Sequence, residues 1–134
     1  MQYENMHAKH VSGDVYELDN SPFYVFDISA GDVFSVNEVD GRILFNKIES
    51  RGGHSTYRVK MPFGAGHDKF EALWGELSEI GCSYEGSGKG DRLLYSIDVP
   101  PGVSVDKVYE ILGKNEELNL WEFEEGHYFK SMQH

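Results

Sequence analysis

His54-Ser55-Thr56-Tyr57-Arg58-Val59-Lys60 alternates without interruption. Ser55, Tyr57 and Val59 fall on one face of a strand; His54, Thr56, Arg58 and Lys60 fall on the other. Past a loop at residues 62–66, Phe70, Leu73, Trp74, Leu77 and Ile80 recur at helical spacing. This predicts an amphipathic helix from His67 to Ile80, capped by Gly81. Cys82-Ser83-Tyr84-Glu85 reads as a strand and Gly86-Ser87-Gly88-Lys89-Gly90 as a hairpin loop. The return strand spans residues 92–99, with Leu93, Tyr95 and Ile97 inward, and Pro100-Pro101-Gly102 stops it. Ser104 is a good N-cap for a second helix with the stripe Val105, Val108, Ile111 and Leu112, ended by Gly113. A last strand over residues 119–125 puts Trp121 and Phe123 on one face. The order β-α-β-β-α-β predicts a ferredoxin-like half, an antiparallel sheet with both helices on one side.

Toward the N-terminus the pattern is all strand. Val15-Tyr16-Glu17-Leu18 is closed by the turn residues Asp19-Asn20-Ser21-Pro22. Phe23-Tyr24-Val25-Phe26 follows, aromatic and β-branched as strands favour. Ala30-Gly31-Asp32 turns the chain into residues 33–38, and the Asp40-Gly41 pair signals a hairpin to residues 42–49. These segments predict a four-stranded bent sheet or half-barrel. The expected fold class is α+β: a loose arm at 1–13, a β-rich half at 14–52, a ferredoxin-like half at 53–126 and a tail at 127–134. Arg51-Gly52-Gly53 marks the internal boundary.

Composition narrows the functions. Twenty-three acidic residues oppose twelve basic ones, for a net charge of −11. That balance argues against gripping nucleic acid by its phosphates or binding an anionic membrane surface. It favours steered association with a cationic partner, against the plainer reading that charge only keeps the chain in solution. Cys82 is alone, so no internal disulfide and no oxidising compartment are implied. The first residues lack the apolar core of a signal peptide, and no run approaches the roughly 18 apolar residues of a spanning helix. The expected location is the cytoplasm.

Several strings carry a family likeness: residues 16–23 (Tyr16 to Phe23), Gly31-Asp32-Val33, Gly53-His54-Ser55-Thr56, Glu85-Gly86-Ser87-Gly88, Asp98-Val99-Pro100-Pro101 and Trp121-Glu122-Phe123-Glu124. Together they resemble a family of small bacterial proteins known only as a domain of unknown function. The resemblance implies a bacterial cytoplasmic protein and brings no catalytic residues with it. By size and charge the chain is also similar to bacterial immunity proteins, which neutralise nuclease toxins.

No residues assemble into an expected catalytic or metal set, and no cofactor is expected. The Gly86-to-Gly90 loop lacks the Gly-Lys-Ser/Thr ending of a phosphate loop. His7 and His10 have helical spacing but no further ligand nearby, and His127 and His134 are placed in the tail. His54 and Ser55 point to opposite faces and cannot pair as base and nucleophile. Cys82 reads as a buried, inert thiol. The acidic residues hold more interest. Glu116, Glu117, Glu122, Glu124 and Glu125 crowd the end of the second helix and the last strand. With Asp32 and the aromatic Tyr24, they are the expected partner-binding residues. The expected function is non-catalytic: an immunity protein whose carboxylates block the cleft of a basic nuclease toxin. The alternative is a small-ligand-binding regulatory domain.

Overall fold

The structure, a computed structural model, describes residues 7–23, 27–88 and 93–129. Tyr24 and Phe26, the hairpin residues Lys89 and Gly90, and His134 lie outside the described residues.

Strands β1 (Ala8–Ser12), β2 (Val15–Leu18), β3 (Val33–Val39) and β4 (Arg42–Ser50) form one antiparallel sheet in that order. β5 (Ser55–Lys60), α1 (His67–Glu79), β6 (Ser83–Ser87), β7 (Leu94–Val99), α2 (Val105–Glu117) and β8 (Glu122–His127) build the second half. Its sheet order is β6-β7-β5-β8, every pair antiparallel, which is the split βαβ arrangement. The fold is α+β.

One face of the second sheet makes the main core. Tyr57, Val59, Tyr95 and Ile97 meet Phe70 and Leu77 of α1, Val108 and Leu112 of α2, and Trp121. Phe70 stacks on Tyr95 with ring centroids 3.6 Å apart, and the Trp121 indole donates to the Leu112 carbonyl at 3.1 Å. Each such buried side chain contributes about 1.5–3 kcal/mol.

Three boundaries differ from those the sequence predicts. The expected loose arm contains β1, which pairs with β2 (Lys9 opposite Glu17, His10 opposite Tyr16). All five of its residues are exposed, so it carries no alternation to read. α2 runs four residues past the point where Gly113 was expected to end it, through Glu117. Its terminator is Asn119, whose φ of 60° places it in the left-handed region that Asn tolerates at a helix end. β8 consequently starts at Glu122 and crosses Gly126 to His127, so His127 belongs to a strand and not to a tail. Gly126 is an extra residue between Glu125, opposite Tyr57, and His127, opposite Thr56. A Cβ there would stand 3.0 Å from the Arg58 guanidinium carbon, so glycine lets Arg58 pack beneath the bulge.

The second face of β5 is covered as well, and Thr56 and Arg58 are buried. The segment leading into and out of residues 24–26 covers them. Arg58 Nε donates to the Pro22 carbonyl at 3.2 Å, and the Ser96 hydroxyl donates to the same carbonyl at 2.6 Å. Ser21 Oγ and Ser96 Oγ are 2.6 Å apart, and Ser29 shares hydrogen bonds with Thr56 and with His127 Nδ1, the latter at 2.7 Å. The two halves therefore meet along a polar seam.

Candidate functional site

An open groove of about 970 Å³ lies at one end of the second half. Lys60, Met61, Pro62 and Phe63 leave β5 along one wall. Glu116, Asn119, Trp121, Glu122 and Phe123 form the other. The left-handed Asn119 makes that second wall. It turns the chain sharply, and the Asn119 and Leu120 amides donate back to Glu116 and Asn115 carbonyls at 3.0 and 2.9 Å. Glu116 is then fixed at the mouth, its Oε2 accepting from the Phe123 amide at 3.1 Å. A shallower depression of about 210 Å³ continues along the sheet, lined by Arg58, Lys60, Leu94, Glu122, Phe123 and Glu124.

The charges are arranged unevenly. Glu122 stands opposite Lys60 and Glu124 opposite Arg58, whose Nη1 is 3.7 Å from Glu124 Oε1. Those two carboxylates thus share a face with in-chain cations. Glu116 and Glu117 sit in the last turn of α2, where the helix dipole is already negative. Lys114, the one basic residue of that turn, is held by Glu76 at 3.0 Å. The groove is lined by two carboxylates, Glu116 and Glu122, against one cation, Lys60, and the surface around it carries unusual apolar exposure. Phe63 is 88% exposed and Leu118 61%. Neither was singled out from sequence. Phe63 sits in a loop between a strand and a helix, where no periodicity marks it.

The expected partner-binding residues divide. Glu116 and Glu122 line the groove together, and Glu124 joins Glu122 in the adjoining depression. Glu117 and Glu125 are exposed but line neither. Asp32 does not belong to the surface at all. It is fully buried, accepting from Arg51 Nη1 at 2.8 Å and from the Ser29 and Gly52 amides at 2.9 Å each. Its carboxylate ties the turn before β3 to the end of β4. A lone acid after Ala30-Gly31 gives no sign of those partners, which lie up to 20 residues away.

The seam gathers the histidines that sequence reading set aside. His54 Nδ1 donates to Asp98 at 2.9 Å, with its ring against Gly31. Burial raises the Asp98 carboxyl above its usual range while His54 opposes the shift. Burial, and then the Arg51 charge, lowers His127. Ser29, though within reach of His127, has no exposed surface. Cys82 is buried, and burial followed by the Asp98 charge pushes its thiol up to about 11. His10 packs on Tyr16 and bonds the Gly13 carbonyl at 2.9 Å. Among the described residues no group of His, Cys, Asp or Glu could hold a metal ion. None of their helices is long and apolar enough to cross a membrane.

Fold and groove define a small α+β domain made of two antiparallel sheets, one of them backed by helices. The chain belongs to the family described as Domain of unknown function (DUF4265), which it matches over residues 4–123. No curated protein matches it. A solved structure described as a novel crystal structure of a hypothetical protein from Neisseria gonorrhoeae has the same fold. Its TM-score is 0.71 at 18% identity, over 87% of this chain and 78% of that one.

Proposed function

We propose that this protein is a non-catalytic binding module that docks a basic protein on the face formed by the Phe63 loop, the end of α2 and the start of β8. The observation that carries this reading is the nearly complete exposure of Phe63 beside a groove whose mouth holds Glu116 and Glu122. A large exposed apolar side chain beside two carboxylates and one lysine suits a partner offering an apolar pocket with cations on its rim. A nuclease toxin has such a surface, because its substrate cleft must attract phosphates. The chain then acts as an immunity protein in the bacterial cytoplasm, its glutamates standing where phosphates would bind. Its charge of −11 supports steering toward such a cleft.

The test is association with any basic toxin found encoded beside its gene, measured by stopped flow over a salt series. Raising salt from about 0.1 M to 1 M shortens the Debye length from about 10 to 3 Å, so the on-rate falls steeply. Replacing Glu116 and Glu117 with Gln lowers the on-rate, whereas Phe63→Ala raises the off-rate. A salt-independent on-rate, or wild-type affinity in Phe63→Ala, overturns the reading. The groove's volume also falls within the range of small-ligand sites, about 300–1,000 Å³. Absence of any basic protein partner, together with thermal stabilisation by a metabolite and its loss in Trp121 or Phe123 variants, would favour a ligand-binding regulatory domain.

A further inference from the structure

Charge separates the outer edges of the two sheets, which are β1 and β4 in the first and β6 and β8 in the second. β1 carries Lys9 and no acid. β4 carries Arg42 and Lys47 against Glu49. The one acid of β6, Glu85, is taken by the Ser21 amide. β8 alone is strongly anionic: Glu122, Glu124 and Glu125 stand on it with no lysine or arginine, a net of −3. It also borders open surface, since the groove and the shallower depression share Glu122 and Phe123.

The backbone of β8 shows what this edge offers. Phe123 lies opposite Val59, yet its amide bonds the Glu116 carboxylate and not β5. Residues of an antiparallel ladder alternate between bonding the partner strand and pointing away from it. Glu122 and Glu124 therefore bond toward Lys60 and Arg58, while Phe123 and Glu125 point their amides and carbonyls off the edge. Past Glu125 the edge is closed, because the Gly126 carbonyl accepts from the Asp27 amide at 2.9 Å. Before that point the Phe123 carbonyl and the Glu125 amide have no partner among the described residues. Glu116 occupies the place that the carbonyl of an added strand would take.

Side chains along the same stretch divide by face. Glu122 and Glu124 share the face away from the helices, and Glu124 stays 58% exposed although Arg58 lies 3.7 Å from it. Phe123 is on the helix side, where Tyr109 of α2 meets its ring edge-on at 5.6 Å and is 57% exposed. Glu125, on that side too, is bonded by the Tyr57 hydroxyl. A strand added here sets every second side chain over Glu122 and Glu124 and the others over Phe123 and Tyr109. Its complement is an extended segment in which cationic and apolar residues alternate.

Resting on the docking of a basic protein at this face, we infer that the partner adds such a segment to the edge of β8, its cations over Glu122 and Glu124 and its apolar residues over Phe123 and Tyr109. Its backbone bonds the Phe123 carbonyl and the Glu125 amide, and one of its carbonyls replaces Glu116 at the Phe123 amide. Main-chain bonds give strand addition its affinity, and the alternate side chains give it specificity. Glu116, once displaced, is free to meet a cation at the groove.

Two capped hexapeptides of identical composition test this on the full chain by NMR titration and hydrogen exchange. One alternates lysine and valine; the other has its lysines in one block and its valines in another. The alternating peptide binds more tightly, and at about ten times its Kd it slows exchange of the Glu125 amide about tenfold. Glu122→Lys combined with Glu124→Lys, its folding checked by circular dichroism, weakens that peptide about tenfold or more and admits a peptide alternating glutamate and valine instead. Equal binding of the two lysine peptides, binding that leaves the Glu125 amide unprotected, or indifference to the charge reversal overturns the proposal. A basic toxin that binds and responds to Phe63→Ala without protecting the Glu125 amide overturns strand addition and keeps the docking reading. Protection by the alternating peptide with no toxin partner does the reverse and keeps the β8 site.

Discussion

The helix-backed sheet and the N-terminal sheet are both four-stranded and antiparallel, yet they hold themselves together by different means. The first buries aromatic and aliphatic side chains from two helices, two strands and the residues flanking them, including Phe70, Tyr95, Leu77, Leu112 and Trp121. The second has a small cluster, Leu18, Ile28 and Phe34, with Tyr16, Val36 and Ile48 packed partly against it. No helix covers it. Its polar groups are tied internally by Asp32, which bonds Ser29 and Arg51, and across the seam by Ser29 and the Pro22 carbonyl, which bond Thr56 and Ser96. One half is stabilised by apolar burial, the other largely by polar groups satisfied at a boundary.

Substitutions should separate the two. Trp121→Ala removes a side chain that is 1% exposed and bonded to Leu112, and about 3–5 kcal/mol of stability should be lost in urea titration. Trp74→Ala should cost less, because Trp74 is only partly buried against the core. Equal losses would mean that the helix α1 surface is as tightly covered as the centre. Next in size is Asp32→Asn. It strips the charge from a buried acceptor of two amides and one guanidinium, for about 2–3 kcal/mol. If this change proves silent, buried polar bonds are not what hold the turn before β3 to the end of β4, and the contrast drawn above fails.

The difference between the halves also explains what could be read in the sequence. The β-α-β-β-α-β order was legible because each element buries one side, and burial writes a period into the chain: Tyr57 and Val59 at two, Phe70, Trp74 and Leu77 near 3.6. β1 was missed because an edge strand with every residue exposed has no period. The burial of the far face of β5 was not legible because Thr56 and Arg58 look like surface residues. Their cover, Pro22 and Ser29, lies 27 or more residues away in sequence. For the candidate site, the glutamates of α2 and β8 were visible as a charge cluster. Asp32 was indistinguishable from them by type, and Phe63 gave no signal because loops have no periodicity. Polar networks are assembled by the fold from distant residues, so sequence patterns recover apolar cores better.

The seam should be sensitive to acid. His127 is buried with its pKa lowered from 6.5, so the folded chain takes up a proton less readily than the unfolded one. Its contribution is complete above 6.5 and is lost as pH falls below that value. Asp98 works in the opposite sense. Raised above 3.8, it holds its proton more tightly when folded, so upward from that value stability declines with rising pH. Calorimetry between about pH 8 and 5 should show a melting temperature that drops on the acid side. His127→Asn should flatten that drop by removing the titrating ring. An unchanged slope in the variant would assign the acid sensitivity to another group.

The smallest expected effect is on the β3–β4 hairpin, and it tests the other end of the comparison. Ile43 is a large aliphatic residue in a strand, and in the helix-backed sheet its counterpart Ile97 would be costly to truncate. At 66% exposure Ile43 has little burial to lose, so Ile43→Ser should change monomer stability by no more than about 0.5 kcal/mol. The measurement is urea unfolding at a concentration low enough to dissociate any dimer, because association would add its own free energy to the apparent value. A loss of about 2 kcal/mol or more under those conditions would show that the hairpin packs against something within the same chain. A small loss in the dilute protein that grows with concentration would place the side chain's partner outside it, since stability then follows mass action.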